Sequence, residues 1–576
     1  MTVFLFLIIY QILLTFQGFD ICDTGFYATF YQNIFSNPSS VEYNFLFWFT
    51  GIIGGVFVKL FPFSGLFGIR VLGVATVSFT IYFVYRLLNK NINVFALYLG
   101  LIIVTFSFVA MPVEFYHNSL SSLLFVSASL ALFKGLVNNK LYLFALSGFL
   151  IALNTFTRLP NILDIGILLI IIIYCYYYKE SKSICIKRIL LFVSGFIISF
   201  FIILLLMKQL GHYDIFIKSI KELKINAIKN STSHGISPLI KMNLLVYLRV
   251  LFRGTIAFLL FIIFSKVLSL KIFNTGNLIK WLAILVSFFV ISCYIWTSNI
   301  IITLYYFSLI SVLLTVLFSK EKQIKILCYL GLFMLLVMPL GSDNSIYSFG
   351  KYTVWLAIPL SINLFFTETF SKQTEFNLRT LNNKLKFRFN IFIIKLVPLL
   401  FLISFIFKLM YETINTSYAD PGNRIYKTYK INNKKANYIY TTFERATIIN
   451  DLLSGIKPYI KEGDYLIVYE SFPMLYYLTN TIPFLHDSWL IGINGNIFRD
   501  KLNRIKKEKN PLPMVVRQKF ETIGEFGSPF AEYISDNHES IMVSKEQSKL
   551  FNQFLVENKY KIIWENHYFI LYTTQK

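Results

Sequence analysis

The stretch FDICDTGFY, residues 19–27, follows the first apolar run of the chain, residues 3–16. Two carboxylates therefore stand where the first predicted helix leaves a bilayer. Asp23 and Tyr27 are four positions apart, which places them on one face of a helix. A carboxylate there predicts a general base for a hydroxyl or amine, or an oxygen ligand for a divalent cation. The alternative is an N-cap pair that starts a helix at Thr24.

The composition indicates a membrane protein. Of 576 residues, 56% are hydrophobic, 18% are aromatic and only 15% are charged. This balance is typical of a polytopic chain rather than a soluble globular one. The formal net charge of +24 has no nucleic-acid recognition motif beside it, so we expect no nucleic-acid partner. Basic loops instead orient the chain and meet membrane lipids. The five scattered cysteines predict no disulfide framework.

Apolar runs near the roughly 20 residues that cross a bilayer predict an α-helical polytopic domain over residues 1–410, with about 13 transmembrane helices. Residues 17–70 form the first predicted outer loop, with an amphipathic interfacial helix at 24–35 and a re-entrant helix at 43–61. Inner loops carry Lys and Arg, whereas the long basic loop 208–243 is assigned to the outside, because long segments translocate regardless of charge. The predicted spans are residues 3–16, 71–85, 94–110, 120–136, 141–156, 162–178, 189–207, 251–268, 281–296, 300–318, 326–340, 352–366 and 391–407.

Residues 411–576 change character, because apolar spans give way to mixed polar and β-rich segments. They predict an extracytoplasmic soluble α/β domain that is large enough for its own core. Lysine, isoleucine and asparagine are abundant and alanine is scarce, a composition that suggests an AT-rich bacterial genome. For a bacterial chain with many spans we expect the inner (plasma) membrane. The predicted elements are helices at 442–456 and 544–557, a strand at 465–469 and a hairpin of strands 561–564 and 568–572.

Three segments resemble one family of membrane enzymes. The sequence DTGFYA at residues 23–28 resembles the Asp-Glu-x-x-Tyr-Ala motif in the first outer loop of the GT-C membrane glycosyltransferases. Residues 57–72, with Arg70 opening the second span, are similar to the bacterial branch that includes the aminoarabinose transferases. Residues 148–160 resemble that branch's Lys-Gly-Pro segment, with Arg158 replacing Lys. The resemblance covers roughly the first 200 residues, and the remainder only in architecture.

The resemblance implies a GT-C-like fold and an inverting transfer of a sugar from a polyprenyl-phosphate donor to a lipid or glycan acceptor on the outer membrane face. It implies that Asp23 is the base or orients the acceptor. Asp20 is the second catalytic candidate and has no firm counterpart in the family. Thr24 stands where the family often has a second acid. The need for a divalent cation is therefore left open.

A leaving lipid phosphate requires cations nearby. Arg158 and Arg70 are the best candidates, since a guanidinium matches phosphate oxygens bidentately, and Lys351 is a third. The alternative is that these side chains only snorkel at helix ends. The candidate substrate-binding residues are Tyr27, Glu114, His117, Asn118 and Asp343, all in or beside predicted outer segments. Helix caps and plain turns are the alternative for the last four.

Other functions fit a chain with many spans. A transporter or flippase of lipid-linked saccharides would need mid-membrane polar groups and, usually, repeat symmetry. A saccharide polymerase normally places its large soluble part between spans, whereas here it follows them. A non-enzymatic sensor would read its ligand with the C-terminal domain. Transferase activity that depends on Asp23 separates the enzyme from all three.

Overall fold

The computed structural model describes residues 2–108, 111, 113–229, 235–268, 277–366, 375–379, 384–388, 391–490, 495–508, 511–521, 526–539 and 543–574. The protein is 72% helical. Within those ranges, nine helices are long and apolar enough to cross a membrane, or ten if the bent pair Ile346–Tyr352 and Ala357–Phe366 forms one span. The polytopic helical class is confirmed, whereas the count of thirteen is not. Three predicted spans are shorter apolar helices, namely Thr2–Leu14, Val94–Ser107 and Tyr142–Thr157.

Capping residues determine where several helices begin and end. The side chain of Asn93 caps one helix by accepting the N–H groups of Phe95 and Ala96 at 2.9 and 3.3 Å. Asn139 and Lys179 each end a helix in the left-handed conformation. The helices are α1 Thr2–Leu14, α2 Asp23–Asn33, α3 Trp48–Leu60, α4 Gly65–Leu88, α5 Val94–Ser107, α6 His117–Asn138, α7 Tyr142–Thr157, α8 Leu169–Tyr178, α9 Lys182–Gln209, α10 Tyr213–Lys229, α11 Ile236–Leu268, α12 Asn277–Trp296, α13 Ile300–Phe318, α14 Lys322–Leu336, α15 Ile346–Phe349, α16 Ala357–Phe366 and α17 Ile391–Asn415.

The C-terminal domain contains the predicted elements and several more. Its helices are α18 Phe443–Ile456, α19 Met474–Thr479, α20 Gly495–Glu508 and α21 Lys545–Glu557. The strands of the chain are β1 Glu375–Arg379, β2 Lys384–Arg388, β3 Tyr429–Lys430, β4 Tyr440–Thr441, β5 Tyr465–Tyr469, β6 Ile482–Pro483, β7 Met514–Gln518, β8 Tyr560–Glu565 and β9 Phe569–Thr574. One sheet has the order β6-β5-β7-β9-β8, in which β5 runs parallel to β6 and β7. The two predicted helices, the strand β5 and the β8–β9 hairpin are confirmed.

Helix α2 was predicted as an amphipathic helix on the membrane surface, and that prediction is wrong. Nine of its eleven residues are buried. A Cβ at Gly25 would lie 2.1 Å from the backbone nitrogen of Met474, so α2 touches α19 directly. Phe30 packs on Gly51 of α3 in the same close manner. Aromatic side chains surround α2, which leaves it without a polar face for solvent.

The C-terminal domain is joined by hydrogen bonds to the first loop, residues 17–70. Gly18 N–H donates to the carbonyl of Tyr440 at 2.9 Å, and Met474 N–H donates to that of Ile21 at 3.1 Å. Helix α17 also continues to Asn415, past the predicted domain boundary at residue 410. The domain therefore rests on the loop that holds the acidic motif.

A buried carboxylate fixes this junction. Asp420 accepts the N–H of Phe19 and the hydroxyl of Thr441, both at 2.8 Å. Arg445 lies 3.2 Å from the Asp420 carboxylate and donates to the carbonyl of Phe19 at 2.7 Å. Asp420 is 1% exposed, so it is held by these donors and by the ammonium of Lys427 at 3.7 Å. A buried charge needs such partners.

Candidate functional site

Asp23 is the first residue of α2, and its carboxylate accepts a hydrogen bond from the hydroxyl of Tyr418. Asp23 keeps part of its surface accessible, although it lies beneath the C-terminal domain. Burial raises the pKa of Asp23 to about 6. The bond from Tyr418 lowers that pKa, while the charges of Asp343 and Glu114 raise it. A carboxyl with such a pKa suits a base that works near neutral pH.

Asp20 shapes the backbone ahead of Asp23. Its two carboxylate oxygens accept the N–H groups of Cys22 and Thr24, at 2.8 and 2.7 Å. The carboxylate thus holds the turn that leads into α2, whose N-cap residue is Cys22 rather than either acid, and it is buried rather than solvated. Burial and the charge of Asp23 raise the pKa of Asp20 to about 7, and the two backbone N–H groups lower it. A catalytic role for Asp20 stays a prediction.

Tyr27 and His117 meet although 90 positions separate them. The hydroxyl of Tyr27 forms a hydrogen bond with Nδ1 of His117, the first residue of α6. Phe47 covers the imidazole, with the ring centroids 4.5 Å apart. Burial raises the pKa of Tyr27 well above its usual value, so the hydroxyl stays protonated. The pair lies one helical turn along α2 from Asp23.

Arg158 ends helix α7 and is 5% exposed. Its Nη1 donates to the carbonyl of Met338 at 3.1 Å, and its guanidinium lies over the ring of Phe349 at 4.6 Å. Within the part of the chain that is described, Nε and Nη2 have no hydrogen-bond acceptor. Asp343 interacts electrostatically with both Asp23 and Arg158. A chain of aromatic contacts joins the acid of the first loop to this guanidinium. The ring of Tyr27, one helical turn from Asp23, lies 5.9 Å from that of Tyr116, whose hydroxyl bonds that of Tyr352. The ring of Tyr352 lies 6.2 Å from that of Phe349, which Arg158 covers.

Arg70 and Glu114 form a buried ion pair, with an N···O distance of 2.7 Å. Arg70 also donates to the carbonyl oxygens of Thr15 and Gly18, at 2.7 and 2.6 Å. These contacts hold the chain between α1 and the acidic motif. Phosphate binding by Arg70 stays a prediction, and it would require some of these bonds to break. Substrate binding by Glu114 likewise stays a prediction.

Lys351 and Asn118 present unused polar groups. Lys351 is 7% exposed, and its ammonium has no hydrogen-bond or ion-pair partner among the described residues. It interacts electrostatically with Glu412 of α17 rather than with the acids of the first loop. The Oδ1 atom of Asn118 is buried without a partner, and its amide nitrogen lies 3.5 Å from the hydroxyl of Tyr116. A ligand that reaches either group would find it uncommitted.

Two side chains at the site, those of Tyr418 and Asp164, were not among the candidates predicted from the sequence. Tyr418 is 395 positions from Asp23, in a segment without a motif, so no local signal predicts their contact. Asp164 is fully buried, interacts electrostatically with Arg158 and accepts the amide of Asn154 at 2.8 Å. The position of Asp164 inside the apolar run 162–178 could have identified it, because an acid within a membrane-spanning segment is a functional candidate.

The described side chains do not suit a metal centre. Across the ranges given above, no group of three or more His, Cys, Asp and Glu residues could hold a metal ion. Both oxygens of Asp20 are already bonded to backbone N–H groups. We therefore derive no chemical step through a divalent cation.

No protein-family model matches the chain, and no curated protein matches it either.

Proposed function

We propose that the protein is a GT-C-type glycosyltransferase that moves a sugar from a polyprenyl-phosphate donor to an acceptor of the cell envelope. The observation that carries the proposal is the chain of contacts from Tyr27, one helical turn from Asp23, through Tyr116, Tyr352 and Phe349 to the Arg158 guanidinium. The transfer requires one base and one phosphate-binding cation in a single place. The motif resemblance of residues 23–28 and 148–160 supports the same reaction.

The donor phosphate binds at Arg158 in this proposal. Nε and Nη2 of Arg158 are the donors left without acceptors in the described structure, and a guanidinium binds two phosphate oxygens in parallel. Arg158 lies at the end of the apolar helix α7, so a lipid chain can stay among apolar helices while its phosphate reaches the guanidinium. Lys351 is a second buried cation for the same charge.

Asp23 takes the proton of the acceptor. The acceptor oxygen forms a bond to the anomeric carbon of the sugar, and the bond from that carbon to the phosphate oxygen breaks. The polyprenyl phosphate leaves with the electron pair, and the hydroxyl proton passes to the carboxylate of Asp23. Attack opposite the leaving phosphate inverts the anomeric centre. Tyr27 and His117 position the sugar beside the carboxylate.

Three further side chains act through these groups as positioning residues. The Asp20 carboxylate fixes the start of α2, and the Arg70 ion pair fixes the segment ahead of it. Tyr418 orients the Asp23 carboxylate and holds its negative form. The reaction lies on the outer face of a bacterial inner (plasma) membrane, with the C-terminal domain outside.

The test is Asp23→Asn in the full-length protein reconstituted in liposomes. The probes are synthetic polyprenyl-phosphate monosaccharides with a deacylated envelope saccharide fraction as acceptor, and the readout is released polyprenyl phosphate. We expect the variant to lose at least a hundredfold in rate, because general-base catalysis contributes about 10²–10⁴-fold. The matched control is Asp214→Asn, an exposed acid on α10, which should keep full activity.

Undiminished turnover by Asp23→Asn would remove that residue from the mechanism. Movement of the lipid-linked sugar across the liposome bilayer without a new glycosidic bond would favour a transporter instead.

A further inference from the structure

A polar cavity of about 190 Å³ lies between the first loop and the C-terminal domain. Its walls come from the turn that follows α2, from β5 and β6, and from α20. Its lining includes Asn37, Ser39, Tyr465, Phe484, Arg504 and Glu508. The cavity is separate from the groups around Asp23.

The charges at this cavity are already balanced within the protein. Arg504 donates from Nη1 to both oxygens of Glu42, at 2.7 and 2.9 Å, and from Nε to Glu508 at 2.7 Å. Lys218 adds a second cation to Glu42 at 2.8 Å. An ionic ligand would have to displace these pairs. The cavity therefore favours a neutral ligand.

The free groups of the cavity are hydroxyls and an amide. In the described structure the side chains of Asn37, Ser39 and Tyr465 form no hydrogen bond. The ring of Tyr465 is 40% exposed and packs edge-on against Phe484, with the centroids 5.6 Å apart. Uncommitted donors and acceptors beside an exposed aromatic ring suit the hydroxyls and the apolar face of a sugar.

A row of aromatic side chains lies around Phe26 of α2. Tyr43, Phe47 and Trp489 are each partly exposed, and their rings lie 5.8–6.4 Å from that of Phe26. The buried indole nitrogen of Trp489 has no acceptor among the residues described. An N–H group left without an acceptor in this row is available to a ligand hydroxyl.

The aromatic row connects the two sites. Tyr43 follows Glu42, whose N–H donates to the carbonyl of the cavity residue His486 at 3.0 Å, and the N–H of Trp489 donates to Asp487, the neighbour of His486, at 3.1 Å. Phe47 covers His117 at the other end. Asp23 begins α2 and the cavity residue Asn37 follows its end, and the 11 residues of α2 extend about 16 Å along the helix axis. That separation is too long for one sugar unit.

We propose that this cavity binds the distal units of an oligosaccharide acceptor whose reactive hydroxyl lies at Asp23. The inference rests on the proposed function and deepens it, since it names a saccharide chain rather than a small molecule as the acceptor. The aromatic row supports the units between the two ends.

The test measures binding of the full-length protein in detergent to an array of bacterial envelope saccharides of increasing length, with no donor present. Ser39→Trp fills the cavity from an exposed position. Ser36→Trp is the matched control, exposed in the same stretch but outside the lining. Asn37→Ala is a second variant, since it removes only an amide that forms no hydrogen bond.

We expect the natural protein and Ser36→Trp to retain oligosaccharides, Ser39→Trp to lose at least tenfold in affinity and Asn37→Ala to lose several-fold. Asp214→Asn, an exposed acid on α10 outside the cavity lining, should bind as the natural protein does. No retained saccharide, or equal retention by both tryptophan variants and Asn37→Ala, would overturn the proposal. Retained saccharide without any sugar transfer would refute the transferase and leave the binding site standing.

Discussion

Replacing Tyr418 with Phe removes the hydroxyl that donates to the Asp23 carboxylate and keeps the aromatic ring. A hydrogen bond to a charged group contributes about 1.5–3 kcal/mol. A tenfold change in a protonation equilibrium corresponds to about 1.4 kcal/mol. Because Asp23 is partly exposed, we use the lower end of that range of hydrogen-bond free energies, and we expect the proton affinity of Asp23 to rise about tenfold. The variant therefore holds Asp23 protonated at a higher pH.

The assay is the pH dependence of kcat/KM for release of polyprenyl phosphate, which reports the free enzyme. Asp23 acts when deprotonated, so the rate of the natural protein should fall as the pH drops through about 6. In Tyr418→Phe the fall should occur about one pH unit higher. Tyr411→Phe, at an exposed ring on α17, is the control and should keep the natural profile. An unchanged acid limb in Tyr418→Phe, or a shift to lower pH, would refute the reasoning.

Three further predictions address the junction, the phosphate site and the C-terminal domain. Gly25→Ala places a Cβ 2.1 Å from the backbone nitrogen of Met474 and should speed proteolysis of the domain junction. The control is Gly331→Ala on α14, whose Cβ would have 3.6 Å of clearance and should not change the rate of proteolysis. Equal protection of the two variants would contradict the close packing. Arg158→Lys should raise the KM for the donor about tenfold, since a single ammonium loses the bidentate geometry; an unchanged KM would exclude phosphate contact. Burial raises the pKa of Glu470 from 4.5 to about 7, so its stabilising contribution is present below pH 4.5 and lost as the pH rises through 7. Glu470→Gln should therefore raise the thermal unfolding midpoint when it is measured above pH 7, but not when it is measured at acidic pH. A rise of the same size at both pH values would contradict this linkage.

The apolar runs predicted most of the membrane helices, because length and hydrophobicity decide them locally. The β8–β9 hairpin and α18 were also predicted, and in the structure the side chain of Thr442 caps α18. Strand β7 was not predicted, since its pairing with β5 depends on distant sequence. The burial of α2 was missed for the same reason, because α19 covers it from 450 positions away.

The candidate site was likewise predicted only in part. Residue type and position indicated Asp23, Tyr27 and His117, and the structure joins Tyr27 to His117 by a hydrogen bond one helical turn from Asp23. Tyr418 was invisible because its contact with Asp23 arises only when the C-terminal domain docks. Arg70 was predicted as a phosphate-binding candidate or a side chain that snorkels at a helix end, whereas the fold supplies it with a carboxylate and two carbonyl oxygens.

The most direct test of the central claim is a cryo-electron microscopy structure of the full-length protein with undecaprenyl phosphate bound. The account predicts phosphate density within hydrogen-bond distance of the Arg158 guanidinium, in a space that the Asp23 carboxylate also faces. Phosphate bound elsewhere, or protein packed solidly between Asp23 and Arg158, would contradict it.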